Sequence, residues 1–368
     1  VRVLLIEPYY GGSHRAWADG YQRHSWHDVT LLTLPAQFWK WRMQGGAVSL
    51  TRMIAEQDHK PDVFFVSEMI DLANFRALLP RHLQNIPIAL YCHENQLTYP
   101  QNSRQKHGWR YGFINYISAL AADAVYFNSP YHHQIFLATL PNLLKHFGDY
   151  NELQTVEMIR AKSHVLPLGL DLTRFDAYRP PIDQPNTLPL IVWNHRWEDD
   201  KNPEGFFRAL RGLVKRDIPF QVAITGENFQ KIPESFIAIR DFLGERVTQF
   251  GYMTHFADYA RLLWQADYVV STAHQEFFGG AIAEAITCGC VPILPDRLNY
   301  PYLIPQDYHK HCLYPGESLL YKLIDHLSGR IAPVETHPLQ AHIAAHDWAH
   351  MASRYDEALS SLASSTGV

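Results

Sequence analysis

Cysteine is scarce in this sequence: Cys92, Cys288, Cys290 and Cys312 are the only four in 368 residues, and no CxxC pair occurs. Cys288-Gly-Cys290 is too short for a metal clip. Zinc ribbons and disulfide scaffolds are therefore excluded, and the thiols read as small buried groups of a reducing compartment. No apolar run is long enough to span a bilayer, and residues 1–6 lack the long apolar core of a signal peptide. A soluble, cytoplasmic protein without a membrane partner is the expectation. Internal repeats and low-complexity tracts are missing, which excludes solenoids and disordered arrays. An excess of positive charge is missing too. The net charge is −5, so the chain as a whole is no obvious nucleic-acid binder. The acidity is concentrated after residue 185, which leaves the near-neutral N-terminal half as the seat for any large anionic partner. No metal constellation stands out either, since the adjacent His132 and His133 do not share a helical face.

What is present is a globular composition, 47% apolar and 19% charged, in a chain long enough for two domains. Short apolar, β-branched runs at 1–6, 29–33, 63–67, 88–92, 124–127 and 164–167 alternate with amphipathic stretches at 50–57, 72–83, 111–122 and 131–146. Strands separated by crossover helices predict a parallel sheet covered on both faces. Residues 179–189 carry four prolines and little apolar periodicity, which predicts an extended linker. The alternation then restarts, with strands at 190–193, 220–225, 247–250, 268–271 and 291–294, and helices at 203–216, 232–243, 255–265 and 280–288. The expectation is an α/β chain of two Rossmann-like, doubly wound domains, 1–178 and 190–346, facing each other across a cleft. The last helix, within 347–368, would pack back on the first domain and end in a frayed tail. Ligands of such sheets bind at the carboxyl ends of the strands.

Four segments at those ends carry the chemistry. His274-Gln-Glu276-Phe-Phe278-Gly279-Gly280-Ala281-Ile282-Ala-Glu284 runs from a strand through a glycine pair into a helix. Its carboxylates can accept hydrogen bonds from ribose or sugar hydroxyls, and the free N–H groups of the first turn suit an oxygen-rich anion. Trp193-Asn-His-Arg196-Trp-Glu-Asp-Asp-Lys201-Asn-Pro203 places two cations on a strand-to-helix loop. Arg gives bidentate contact and Lys a compact charge, as a diphosphate requires. Local pairing with Glu198, Asp199 and Asp200 is the competing reading. Glu7-Pro-Tyr-Tyr-Gly11-Gly12-Ser13-His14 is a glycine turn at a helix start, though without the GxGxxG spacing of dinucleotide sites. Tyr91-Cys-His93-Glu94-Asn95-Gln96 is a polar cluster after the fourth strand, with His93 able to bond a hydroxyl or to move a proton.

Together these segments resemble the retaining GT-B glycosyltransferases of family-4 type over nearly the whole chain. In that family a glycine loop, a strand-end His, an Arg-x4-Lys pair and a Glu-x7-Glu segment recur in this order; here they are Gly11-Gly12, His93, Arg196/Lys201 and Glu276/Glu284. The resemblance implies that Glu284 holds the ribose, and that Arg196 and Lys201 hold the diphosphate. Glu276, Phe278 and the backbone of Gly279, Gly280, Ala281 and Ile282 would hold the hexose, with His93 near its O6 and Gly251-Tyr252 against the base. Gly280-Ala281 stands where many members have Leu-Pro, which bears on sugar preference. Residues 6–14, 91–100 and 121–129 further resemble the tRNA-queuosine α-mannosyltransferases. That implies a nucleotide-sugar donor, GDP-mannose, no cofactor or metal, and a tRNA-Asp acceptor bearing queuosine. The acceptor would meet Ser13, His14, Glu94, Asn95 and the basic stretch Arg104, Lys106, Trp109, Arg110. Other readings are a nucleotide-sugar epimerase on the same fold, a transferase with a different glycan or small-molecule acceptor, and a nucleotide- or RNA-binding module with a decayed site.

Overall fold

The computed structural model describes residues 1–99, 108–146, 148–181, 186–227 and 232–365. The chain divides into two compact units, Val1–Asp171 with His346–Val368, and Leu172–Ala345.

The first unit is built on six parallel strands: β1 (Arg2–Tyr10), β2 (Asp28–Pro35), β3 (Val63–Ser67), β4 (Ile88–Cys92), β5 (Ala124–Phe127) and β6 (Ser163–Val165), in the order β2-β1-β3-β4-β5-β6. β3, β4 and β5 are buried along their whole length, as a sheet with helices on both faces demands. The helix Trp39–Ala55 starts well before the amphipathic stretch at 50–57. Met43, Ala47, Leu50 and Ile54 keep the buried stripe continuous, and Gly45-Gly46 had hidden its beginning. The stretch at 72–83 is a helix only over Leu72–Leu78, followed by a 3-10 turn at Arg81–Leu83. Pro80 stands between them, and a proline pushes its predecessor out of the helical region.

The helix Trp348–Ser365 belongs to this unit. Trp348 is fully buried against two glycines: a Cβ at Gly20 would lie 2.0 Å from its Nε1, and one at Gly169 2.5 Å from its ring. Two turns on, the Tyr355 hydroxyl donates to the Tyr91 hydroxyl (2.7 Å), and Asp356 accepts from the Tyr21 hydroxyl (2.8 Å).

The second unit carries β7 (Leu190–Trp193), β8 (Gln221–Ile224), β9 (Val247–Phe250), β10 (Tyr268–Val270), β11 (Val291–Pro295) and β12 (Leu313–Tyr314). These are again all parallel, in the order β12-β11-β10-β7-β8-β9. The adjacency of β7 and β10 marks the topological switch point of a Rossmann sheet, where the connections leave toward opposite faces. β12 has two residues, too few for any periodic signal, and the sequence does not announce it.

The division between the units falls at 171/172, not in the proline-rich stretch. The 3-10 segment Thr173–Tyr178 is part of the second unit because Phe175 is fully buried there, 4.9 Å from the Phe256 ring, and its carbonyl accepts from Trp264 Nε1 (2.9 Å). Residues 182–185 lie outside the described segments, and Asn186 is already tied to Asp267 (2.8 Å). No described helix is long and apolar enough to cross a membrane.

Candidate functional site

At the switch point of the second unit, the loop after β7 delivers Lys201 and the loop after β10 delivers Glu276. Asn202 adopts the left-handed conformation (φ +49°) and caps the next helix, Pro203–Val214, by accepting from the Gly205 N–H. Proline at the first helical position then fixes where the loop ends. This leaves Lys201 buried, with Nζ donating to the Gln275 carbonyl (2.7 Å) and standing 3.2 Å from Asp200 and 3.4 Å from Glu276. Burial pulls the ammonium down, but Glu276 and Asp200 outweigh it and hold the lysine charged. Burial likewise pushes Glu276 up, and Lys201 and the Phe278 N–H overcome it, so this carboxylate stays ionised.

The other Glu276 oxygen accepts from the Phe278 and Gly279 N–H groups (3.3 and 3.1 Å). Gly279 is left-handed (φ +103°), a geometry that glycine adopts without strain, and it opens the helix Gly280–Thr287. Asn194 ties the two loops together by donating to the Ala281 carbonyl (2.9 Å). Phe278 and Ile282 are buried, while Gly280 and Ala281 keep partial exposure.

Glu284 stands deeper in that helix, accepting from the Tyr259 hydroxyl (2.9 Å) and facing Arg174 (3.4 Å). Burial raises its carboxyl, and Arg174 and Tyr259 offset this only in part. Arg196 is more exposed and pairs with Glu198 (3.4 Å), as the competing local reading of that loop foresaw. Its charge nevertheless acts on both Lys201 and Glu276. Gly251 is left-handed (φ +101°) directly after β9, and Tyr252 beside it is 61% exposed.

In the first unit the switch point lies between β1 and β3, and it holds a second polar cluster. Glu7 is fully buried and accepts from the Tyr9 N–H (2.8 Å), with its other oxygen 3.0 Å from His14 Nδ1. Gly11 and Gly12 form the turn between them, and Ser13 is exposed. A Cβ on Gly11 would fall 2.4 Å from the Ala36 Cβ, so the turn needs glycine for close approach. Glu68, directly after β3, accepts from the His93 and Glu94 N–H groups, both at 3.0 Å. The His93 ring lies 4.3 Å from His14 and edge-on to Trp17 and Tyr91. Burial, with His14 and His132 nearby, drives its pKa well below the usual range, and its buried Nε2 meets no protein partner among the described residues.

Glu94 accepts from Gln96 Nε2 (2.9 Å), and Asn95 is buried, its carbonyl taking the Leu97 and Thr98 N–H groups. Trp109 and Arg110 are exposed at the start of the helix Gly108–Ala121, whereas Arg104 and Lys106 lie outside the described residues. Glu7, His14 and His93 bring ligand-type atoms within 4.8 Å of one another, although the Glu7–His14 hydrogen bond already engages two of them.

Glu68, Tyr259 and Arg174 escaped the sequence reading. A carboxylate two positions beyond the apolar run at 63–66 was the available signal for Glu68. Tyr259 and Arg174 reach Glu284 from elements distant in sequence, and nothing local marks them.

Burial pulls the His14 pKa down, but Glu7, with Glu68 and Glu94, raises it to about 9. Burial lifts Glu68 to about 8, against the pull of His14 and the backbone N–H. Both groups thus hold protons in the folded chain that the unfolded chain releases at lower pH. The stability they lend is complete below about pH 6.5 for His14, the unfolded value, and is lost as pH rises toward about 9. Urea midpoints are expected to fall over that window, and His14→Asn to flatten the fall. An equal slope in the variant would contradict the assignment.

A family model described as tRNA-queuosine alpha-mannosyltransferase N-terminal matches residues 2–170, and one described as glycosyl transferases group 1 matches residues 174–335. A Drosophila melanogaster tRNA-queuosine alpha-mannosyltransferase is 36% identical over 312 residues, covering 83% of this chain and 82% of that protein. Among solved structures, sucrose-phosphate synthase from Thermosynechococcus elongatus superposes with a TM-score of 0.71 at 13% identity, over 99% of this chain and 100% of that one. Anabaena HepE, in complex with UDP and glucose, gives 0.68 at 16% identity, over 98% and 99%. At such identities the likeness concerns the fold alone, and that fold is GT-B.

Proposed function

For this chain, which belongs to the tRNA-queuosine alpha-mannosyltransferase family and is a GT-B glycosyltransferase, we propose transfer of mannose from GDP-mannose to queuosine in tRNA-Asp, with retention at the anomeric carbon and without a metal. The observation that carries the donor side is the buried, charged Lys201 held between Glu276 and Asp200 at the switch point. A buried ammonium preorganised at a helix-bearing loop stabilises the charge that grows on a departing diphosphate. Arg196, on the same loop, is long enough to leave Glu198 for a phosphate, since an exposed ion pair of that kind contributes little.

In this reading the bond from the mannose anomeric carbon to the GDP phosphate oxygen breaks. A bond from that carbon to an acceptor hydroxyl oxygen forms, and the hydroxyl proton passes to the departing phosphate oxygen. Glu276 and the N–H groups that open the helix Gly280–Thr287 would hold the mannose, and Glu284 the ribose. Gly251 would let the base approach, with Tyr252 covering it. His93, kept neutral, offers its Nε2 to a sugar hydroxyl. On the acceptor side Ser13, His14, Glu94 and the start of the helix Gly108–Ala121 supply polar groups.

The test is incubation with a panel of nucleotide sugars and queuosine-containing tRNA, followed by nucleoside mass spectrometry. A hexose added to queuosine from GDP-mannose alone is the expected result; an unmodified nucleoside with every donor would refute it. Glu284→Ala is expected to raise the KM for GDP-mannose about 10- to 100-fold with kcat less affected, because a charge-assisted hydrogen bond to the ribose is lost in the ground and transition states alike. An unchanged KM would remove Glu284 from the ribose.

A further inference from the structure

The segment Phe38-Trp39-Lys40-Trp41-Arg42 opens the helix Trp39–Ala55 in the first unit and has no part in the sites described above. Phe38 is 77% exposed and Trp41 59%, values that a soluble surface seldom gives two large rings so close in sequence. Phe38 also holds a left-handed backbone (φ +52°), which bulky residues rarely adopt. The fold therefore keeps this ring outward at a conformational cost. Trp41 lies along its own helix over Gly45, where a Cβ would stand 2.5 Å from the indole.

Cations are interleaved with the rings. Lys40 Nζ sits over the Trp39 ring at 5.6 Å, and Arg42 Nε donates to the Pro35 carbonyl (3.2 Å). The contacts they make are thus with a ring face and a backbone carbonyl.

The strip is continuous with the helix Gly108–Ala121. Trp39 packs 5.0 Å from Tyr111, and Gln44, one turn from Trp41, donates to the Tyr111 hydroxyl (3.1 Å). Gln44, Trp109 and Arg110 line one surface depression of about 270 Å³, with Asp71 its acidic member. Asp71 is engaged in capping its own helix through the Asn74 N–H. At the other end, Ala36 touches Gly11 of the glycine turn, so the strip starts beside the first unit's polar cluster.

We infer that Phe38, Trp41, Lys40 and Arg42 form a platform for unpaired nucleotides, with bases stacking on the rings and phosphates meeting the cations. Alternating aromatic faces and cations are what single-stranded RNA requires, whereas a duplex offers no base faces to the rings. In a chain of net charge −5, such a strip is a local exception to the overall charge. The inference rests on the reading of the acceptor as an RNA, and extends the contact surface beyond Trp109 and Arg110.

The test is fluorescence anisotropy of the full chain with a labelled, queuosine-free hairpin RNA and with a fully paired duplex of the same length. Phe38→Ala/Trp41→Ala is expected to raise the hairpin Kd at least about tenfold, as loss of two stacking faces should, with little change for the duplex. Lys40→Gln/Arg42→Gln is expected to lower the salt dependence of hairpin binding by about one unit of logarithmic slope. GDP-mannose hydrolysis without RNA should keep its KM in both. Phe38→Leu/Trp41→Leu guards against a folding artefact and is expected to bind as weakly as the alanine pair at an unchanged melting midpoint. Hairpin binding equal to wild type in the alanine pair, or restored by leucine, would overturn the platform while leaving the acceptor reading intact. Failure of the unmodified chain to bind the hairpin at all would overturn both. A wild-type dimer that the alanine pair converts to monomer would assign the strip to a second copy of the chain instead.

Discussion

Lys201→Ala is expected to slow mannosyl transfer by about 10²- to 10³-fold, the scale on which one preorganised donor acts on a developing oxyanion. The lysine is buried, so no water replaces its charge at comparable strength, and it stands within 3.4 Å of both Asp200 and Glu276. Its removal takes away the buried ammonium that pairs with both Asp200 and Glu276, which adds a stability loss of about 3 kcal/mol. The two effects separate experimentally. Turnover is measured at a temperature where circular dichroism shows the variant folded, and the donor KM is recorded alongside. A loss confined to kcat assigns Lys201 to the leaving group; a loss confined to KM assigns it to ground-state binding. Near-wild-type turnover in the folded variant would end the donor-site assignment.

The second large effect lies away from the site. Trp348→Ala is expected to cost about 3–5 kcal/mol, the usual range for deleting a large buried aromatic, and to lower the melting midpoint of the first unit by about 10 °C. The indole fills a slot between Gly20 and Gly169, two positions that have no Cβ with which to close it. Tyr355 and Asp356, on the same helix, would lose the alignment that lets them reach Tyr91 and Tyr21. Gly20→Ala tests the same contact from the other side, because its methyl would stand 2.0 Å from Trp348 Nε1. Denaturant melts of the two variants should show similar destabilisation, and a wild-type midpoint in either would show that the slot can relax.

The alternation of strands and helices, the parallel sheets and the loops that carry Gly11-Gly12, His93, Arg196/Lys201 and Glu276/Glu284 were all readable along the chain. Their signals are local: apolar runs bounded by turns, and polar or glycine-rich clusters directly after strands. Local signals could not tell which unit claims a segment. The prolines at 179–189 read as a linker, but burial of Phe175 against Phe256 draws the chain into the second unit earlier.

Nor could they apportion partners among neighbouring charges. Arg196 and Lys201 look equivalent in sequence, yet one pairs with Glu198 at the surface and the other is buried beside Glu276. Glu284 takes Tyr259 and Arg174 as its neighbours only because a strand order that departs from chain order brings distant elements together. The sequence by itself determined the elements, their class and the loops that bear reactive groups, since each depends on residues within a few positions of one another. Tertiary structure alone decided burial, charge pairing and protonation. These depend on what surrounds a group in space, as the raised His14 and the lowered His93, with rings 4.3 Å apart, make plain.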